Sequence, residues 1–195
     1  NKRDLAVLLL LDVSGSTGEE VKGKRIIEIE KTASLILGEG LHSLGDRFSI
    51  CGFSGSGREN CQFFVFKDFD QDWNRGTIDR VMAGRPMNST RIGPALRHAG
   101  YRLSEVEAQQ KLLFLITDGR PMDRGYDTES RYAQFDVRMA CQENKKKNIH
   151  TFCISTNENS RADMEIMFPQ HRFSILRDMR DLPLVLPRLY VRLTV

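Results

Sequence analysis

The chain has 195 residues, 29 basic and 26 acidic side chains, a formal net charge of +3 and 40% apolar residues, which suits one globular domain and excludes a disordered chain. So mild a charge gives no reason to expect nucleic acid as a partner. The longest apolar run, Leu5 to Leu11, falls far short of the ~20 residues a membrane crossing needs, so no membrane insertion is expected.

Lys2 and Arg3 ahead of that run imitate a signal peptide, but the run stops at Asp12 and no small-x-small cleavage pattern comes before it. Four cysteines, Cys51, Cys61, Cys141 and Cys153, are too sparse for a disulfide framework and form no CxxC pair for zinc. Reduced thiols in a cytoplasmic protein are the expectation. The missing initiator Met and the charged lead into a strand make the chain read as a domain cut from a larger protein.

Leu5 to Leu11 is a continuous aliphatic stretch between charge and a Ser/Gly turn, the pattern of a strand buried on both faces. After Gly18, Ile26, Ile29, Ala33 and Ile36 predict one stripe of a helix ending near Gly38 to Gly45. Arg47 to Phe53 and Gln62 to Phe69 are aromatic-rich strands whose short connection allows only an antiparallel hairpin. Leu96, Ala99, Leu103 and Val106 predict a second helix, and Lys111 to Thr117 a second fully apolar strand ending at Asp118-Gly119. Tyr132, Phe135 and Met139 mark a helix closing in Lys145-Lys146-Lys147, where cations face the negative helix end. Strands over 149–155 and 172–176, a short helix over 162–168 and a last helix from Asp181, bent near Pro187, complete the order.

Such alternation predicts an α/β fold: a doubly wound, Rossmann-like, mostly parallel sheet with one antiparallel edge strand and helices on both faces. Ligands of these sheets bind beyond the carboxyl ends of the strands. The two most apolar strands end in Asp12-Val13-Ser14-Gly15-Ser16 and Thr117-Asp118-Gly119, so both polar clusters belong to one rim.

Asp12, Ser14 and Ser16 form DxSxS, a third hydroxyl comes from Thr90 in the loop before the Leu96 helix, and Asp118 supplies a second carboxylate. Oxygen donors without His or Cys suit a hard divalent ion, Mg²⁺ first, with Mn²⁺ or Ca²⁺ as alternatives. If neutral hydroxyls touch the ion and the carboxylates act through water, much of its charge stays uncompensated and attracts an outside anion. Each residue also has a plainer role: Ser16-Thr17-Gly18-Glu19 matches a capping box for the first helix, and Asp118-Gly119 a turn.

These five residues resemble the metal-ion-dependent adhesion site of a von Willebrand factor A domain, in which DxSxS is followed by a loop Thr and by an Asp ending a later strand. The resemblance implies that Ser14, Ser16 and Thr90 contribute hydroxyl oxygens, that Asp12 and Asp118 act mostly through water, and that a partner's Glu or Asp completes the shell. A narrower likeness, carried by residues 4–12, Gly52-Phe53, Lys67 to Asp70 with Trp73, residues 89–99, 111–119 and 186–190, is to the carboxyl-terminal domain of the NorD/CbbO group. It implies a client-recognition domain excised from the carboxyl terminus of a longer adaptor, working with a hexameric MoxR-type AAA+ ATPase on Rubisco or nitric oxide reductase. The stretch from Arg131 to Thr156 leans toward the Rubisco-activating branch. A generic adhesion module without an ATPase partner is the alternative.

Catalysis finds little footing. The second Asp of a DxDxT phosphotransferase is Ser14 here, no GxxxxGK[ST] is present, and Gly52 to Gly57 fails GxSxG because Ser56 stands where Gly is required. His150 and Cys153 are three apart on a strand and so point to opposite faces. A metal-dependent hydrolase is the remaining enzymatic reading. Arg58, Arg91, Arg120 and Arg124 could surround the rim and favour an acidic client surface.

Overall fold

The computed structural model describes residues 4–57, 59–118, 131–169 and 172–194. Eight residues from Leu5 to Asp12 form β1, every one of them buried. Two short strands, β2 (Glu20–Val21) and β3 (Lys24–Arg25), make a small hairpin before α1 (Ile26–Leu44). Then come β4 (Arg47–Gly55), β5 (Cys61–Lys67), α2 (Arg75–Ala83), α3 (Ile92–Ser104) and β6 (Gln110–Thr117). The chain continues with α4 (Tyr132–Lys146), β7 (Ile149–Ser155), α5 (Arg161–Met167), β8 (Phe173–Ile175) and α6 (Leu182–Thr194).

The main sheet has six strands in the order β5-β4-β1-β6-β7-β8. All neighbours are parallel except β4 and β5, so the antiparallel strand is an edge, as its hairpin demands. The order of connection reverses at β1: the chain moves outward to β4 and β5 on one side, then returns to place β6 on the other. Reversal there prevents the connections from closing over the strand ends and opens a crevice beyond the carboxyl end of β1.

Alternation along β1 feeds two cores. Leu5, Val7, Leu9 and Leu11 pack with α1 and α6, while Ala6, Leu8 and Leu10 pack with α3, α4 and α5. This explains the unbroken apolar run, since a strand covered on both faces has no polar side. Continuing the β1–β6 register from the Leu11–Ile116 pair sets Thr117 beside Asp12.

The stripe predicted for the first helix needs one correction. Ile36 is 47% exposed and Leu37 takes the buried place, because a position ten residues on falls at the margin of the stripe that Ile26 begins, whereas one eleven on returns to its centre. On α4, Tyr132, Phe135 and Met139 are 60%, 50% and 49% exposed, and the buried face consists of Ala133, Val137, Ala140 and Asn144. Small residues lie inward there because α3 and α4 approach closely: a methyl group added at Gly100 would sit 1.8 Å from the Asn144 Oδ1. The hairpin at Glu20–Arg25 and α2 have no counterpart in the expectations. Lys22 (φ 50°) and Gly23 (φ 83°) turn that hairpin, and a reciprocal Asn74–Thr77 cap starts α2. The last helix continues through Pro187.

Two glycines give opposite expectations. Gly100→Ala should destabilise the domain by roughly 1–3 kcal/mol through overpacking against Asn144. Gly40→Ala, in exposed α1 with open space around it, should stabilise it by about 0.5–1 kcal/mol. Urea unfolding of both variants checks the pair.

Candidate metal centre

Asp12 ends β1 and is wholly buried. Its Oδ1 accepts from the Ser14 backbone N–H at 2.9 Å and its Oδ2 from the Thr117 hydroxyl at 2.8 Å. After it the chain makes a single 3₁₀ turn, Gly15–Gly18, in which Thr17 donates to the Ser14 carbonyl at 2.7 Å. That turn directs the hydroxyls of Ser14 and Ser16 to within 3.0 Å of each other. Ser16 caps no helix, since α1 starts at Ile26 behind the small hairpin and has no side-chain cap. The capping-box reading therefore does not hold.

Thr90 is brought to the same place by backbone ties. Met87 N–H donates to the Val13 carbonyl and Gly15 N–H to the Asn88 carbonyl, both at 2.7 Å. Gly55 and Ser89 exchange two further bonds at 2.9 and 2.7 Å, pinning the loop to the end of β4. Gly15 suits this approach, because a Cβ there would stand 3.1 Å from the Met87 carbonyl oxygen. Ser14, Ser16, Thr90 and Asp118, with Asn88 and Asn157, border one cavity of about 270 Å³, and Asp12 holds its base through Ser14. All five predicted site residues thus converge.

Three residues of this region escaped sequence reasoning. Thr117 orients Asp12, Asn157 reaches the cavity from the loop after β7, and Glu30, in the second turn of α1, is fully buried with neither carboxyl oxygen hydrogen-bonded. Only Thr117, adjacent to Asp118 at the end of an apolar strand, carried a usable signal. Arg91, expected at the rim, instead lines a separate cavity with Phe63 and His98. Arg58, Arg120 and Arg124 lie outside the described residues.

The charges are unbalanced. Burial, reinforced by Asp118 and opposed by the hydrogen bonds from Ser14 and Thr117, pushes the Asp12 carboxyl up to about 7. Burial also lifts Asp118, and lifts Glu30 well above the usual carboxylate range with help from Asp12 and Asp118. Among the described residues no basic side chain contributes to any of these shifts. Buried acids without a cation, under hydroxyls turned to one point, are a donor set that fits a hard divalent ion. By contrast, His150 is exposed and Cys153 is buried in the core, so those two share no site.

Residues 6–186 match the model of the von Willebrand factor type A domain. The chain belongs to that family. The von Willebrand factor A domain is 36% identical over 187 residues to Protein NorD of Brucella suis, covering 96% of this chain and 29% of that protein. It is 34% identical over 179 residues to Protein NorD of Stutzerimonas stutzeri, covering 91% of this chain and again 29% of the relative. The chain thus spans less than a third of the length of these relatives. Among solved structures, the PilB minor pilin of Streptococcus sanguinis superposes with a TM-score of 0.74 at 15% identity, over 100% of this chain and 62% of the pilin. Proximal thread matrix protein 1 of the mussel byssus, with a zinc-occupied MIDAS motif, gives 0.69 at 17% identity over 97% and 47%. At such identities these two establish the fold alone.

A carboxyl group whose folded pKa exceeds its unfolded value makes the folded state the better proton binder, so stability falls as pH rises between the two values. For Asp12 that window runs from about 4 to about 7. In EDTA the melting temperature should therefore rise as pH is lowered from 8 to 6. Added Mg²⁺ should raise it more at pH 8 than at pH 6, because protons and cation compete for the same carboxylates. Differential scanning calorimetry at both pH values measures each effect.

Proposed function

We propose that this domain is a cation-dependent protein-interaction module, with Mg²⁺ held by Asp12, Ser14, Ser16, Thr90 and Asp118, and that it recognises an Asp or Glu side chain on a client protein. The observation that carries the reading is the pair of hydroxyls of Ser14 and Ser16, 3.0 Å apart, above buried carboxyls that no described cation offsets. The ion would supply an electrophilic vertex for the client's carboxylate. Ser14, Ser16 and Thr90 would offer neutral oxygens to it, leaving positive charge to attract that carboxylate. Asp12, fixed by the Ser14 backbone N–H and the Thr117 hydroxyl, would anchor the turn that carries the two serines. Rigid backbone ties from Met87, Asn88 and Ser89 keep Thr90 in register, so little conformational entropy remains to be lost on binding.

A binding role is favoured over hydrolysis by the cavity's lining. Its described residues provide hydroxyls, amides and the Asp118 carboxylate, with no His, Cys or Lys beside them to activate a hydroxyl. The likeness to NorD extends over nearly the whole chain. It supports the further proposal that the domain is the client-gripping end of an adaptor for a hexameric MoxR-type AAA+ ATPase, which would bind and hydrolyse the ATP. The client within that proposal is Rubisco, toward which residues 131–156 lean, or nitric oxide reductase. We propose cytoplasmic work for it, and no helix of the described residues is long and apolar enough to cross a membrane.

Asp12→Ala should reduce Mg²⁺-dependent capture of the client at least tenfold while far-UV circular dichroism stays that of the wild type. EDTA should release a captured client and Mg²⁺ restore it. Capture assays offering nitric oxide reductase and Rubisco in parallel, with and without the ATPase ring, test both levels of the proposal. Equal capture by Asp12→Ala and wild type would refute it.

A further inference from the structure

The opposite end of the sheet carries a second cavity that the metal site does not explain. It has about 220 Å³ of space between α4, the start of β7 and the chain entering β8. Arg138, Lys145, His150 and Arg172 line it, and its described lining includes no Asp or Glu. The acids of the flanking helices are turned elsewhere: Glu143 binds Arg97 at 2.8 Å, Asp163 accepts from Gln134 at 3.2 Å, and Glu165 faces Arg161 at 3.9 Å. Arg172 approaches His150 Nδ1 at 3.2 Å. As a guanidinium can only donate, that ring nitrogen is the acceptor and the imidazole is neutral. Three permanent cations therefore converge on one hollow without a described counter-charge.

The remaining walls are apolar. Ile149 and Phe168 are buried beside the cavity, and burial pushes the Cys141 thiol up to about 12, so it stays neutral. This volume is below the ~300–1,000 Å³ of small-molecule sites and suits a single inserted side chain. Beyond Arg138, the outward face of α4 continues in Phe135 and Met139, half exposed. A bare inorganic anion would leave this apolar surface unused.

From this arrangement we propose that the cavity is a second protein-docking site, which takes an acidic segment of a partner by seating one bulky apolar side chain against Ile149 and Phe168 while flanking carboxylates meet Arg138, Lys145 and Arg172. It lies at the amino end of β7, whereas the metal centre lies at the carboxyl ends of β1 and β6. A seven-residue strand separates such poles by roughly 20 Å. The two sites are therefore separate, and this one needs no metal.

The test uses a fluorescein-labelled acidic decapeptide, Glu-Glu-Asp-Glu-Phe-Leu-Glu-Asp-Glu-Glu, titrated with the protein at low ionic strength in EDTA, where capture by the metal centre is abolished. Fluorescence polarisation should report binding that Arg138→Glu combined with Arg172→Glu weakens at least about tenfold, like charges then facing the peptide. Arg138→Glu alone, on the helix surface, should weaken it about threefold or more and guards against a misfolded double variant. Reversing the exposed Arg75 and Arg85 instead changes the net charge equally and should alter affinity less than about twofold. Replacing Phe-Leu by Ser-Ser in the peptide should cost about fivefold or more. Equal loss in the Arg75/Arg85 control, indifference to the Ser-Ser replacement, absence of binding, or displacement of the peptide by an equal concentration of pyrophosphate would each overturn the proposal. None of these outcomes bears on the metal centre, which EDTA has silenced.

Discussion

The site depends on carboxyl groups held out of water with no described cation to face them. Asp12 ends the central strand of a sheet covered on both sides, so it cannot turn to solvent without breaking its bonds to Ser14 and Thr117. Glu30 is enclosed by α1 packing and has no hydrogen-bond partner for either oxygen. Taking a charge into such surroundings costs several kcal/mol unless something of opposite sign is supplied. The fold therefore favours protonation of these acids until a cation is supplied at this rim, and the neutral hydroxyls of Ser14, Ser16 and Thr90 border the cavity above them.

Topology explains why that rim and no other. Where the strand order reverses at β1, a crevice is left beyond the carboxyl end of that strand. The loop before α3 enters this gap and is fastened to β1 on one side and β4 on the other through residues 87–89. Distant parts of the chain thus meet through main-chain bonds, which fix position without restricting side-chain chemistry. A methyl group at Gly15 would already press on the Met87 carbonyl.

Much of this was legible in the residues. A fully apolar run ending in Asp12-Val13-Ser14-Gly15-Ser16 identifies both a doubly covered strand and its rim, because burial on two faces leaves a characteristic composition. Tyr132, Phe135 and Met139 marked α4 as a helix, which it is, without saying which of its faces is turned inward. Its bulky residues, Tyr132, Phe135 and Met139, are outward, and the inward face is small to admit α3 at Gly93 and Gly100. Glu30 could not have been found in this way, since a glutamate in a helix ordinarily reads as a solvated position. Asn157 approaches from a loop with no motif of its own. Arg91 shows the converse: a charged residue next to a site residue, yet directed into another cavity.

The register of β1 carries a mechanical consequence. From Ala6 to Asp12 on one edge and Leu5 to Leu11 on the other, it is bonded continuously to parallel neighbours. A pull on the rim at Asp12 along the strand loads both ladders in shear, so their bonds must yield together, whereas peeling β8, with only three paired residues, breaks them one after another. Tension entering at the carboxyl end of β1 would be shared between two seven-residue ladders, and the edge, held by three pairs, would give way first.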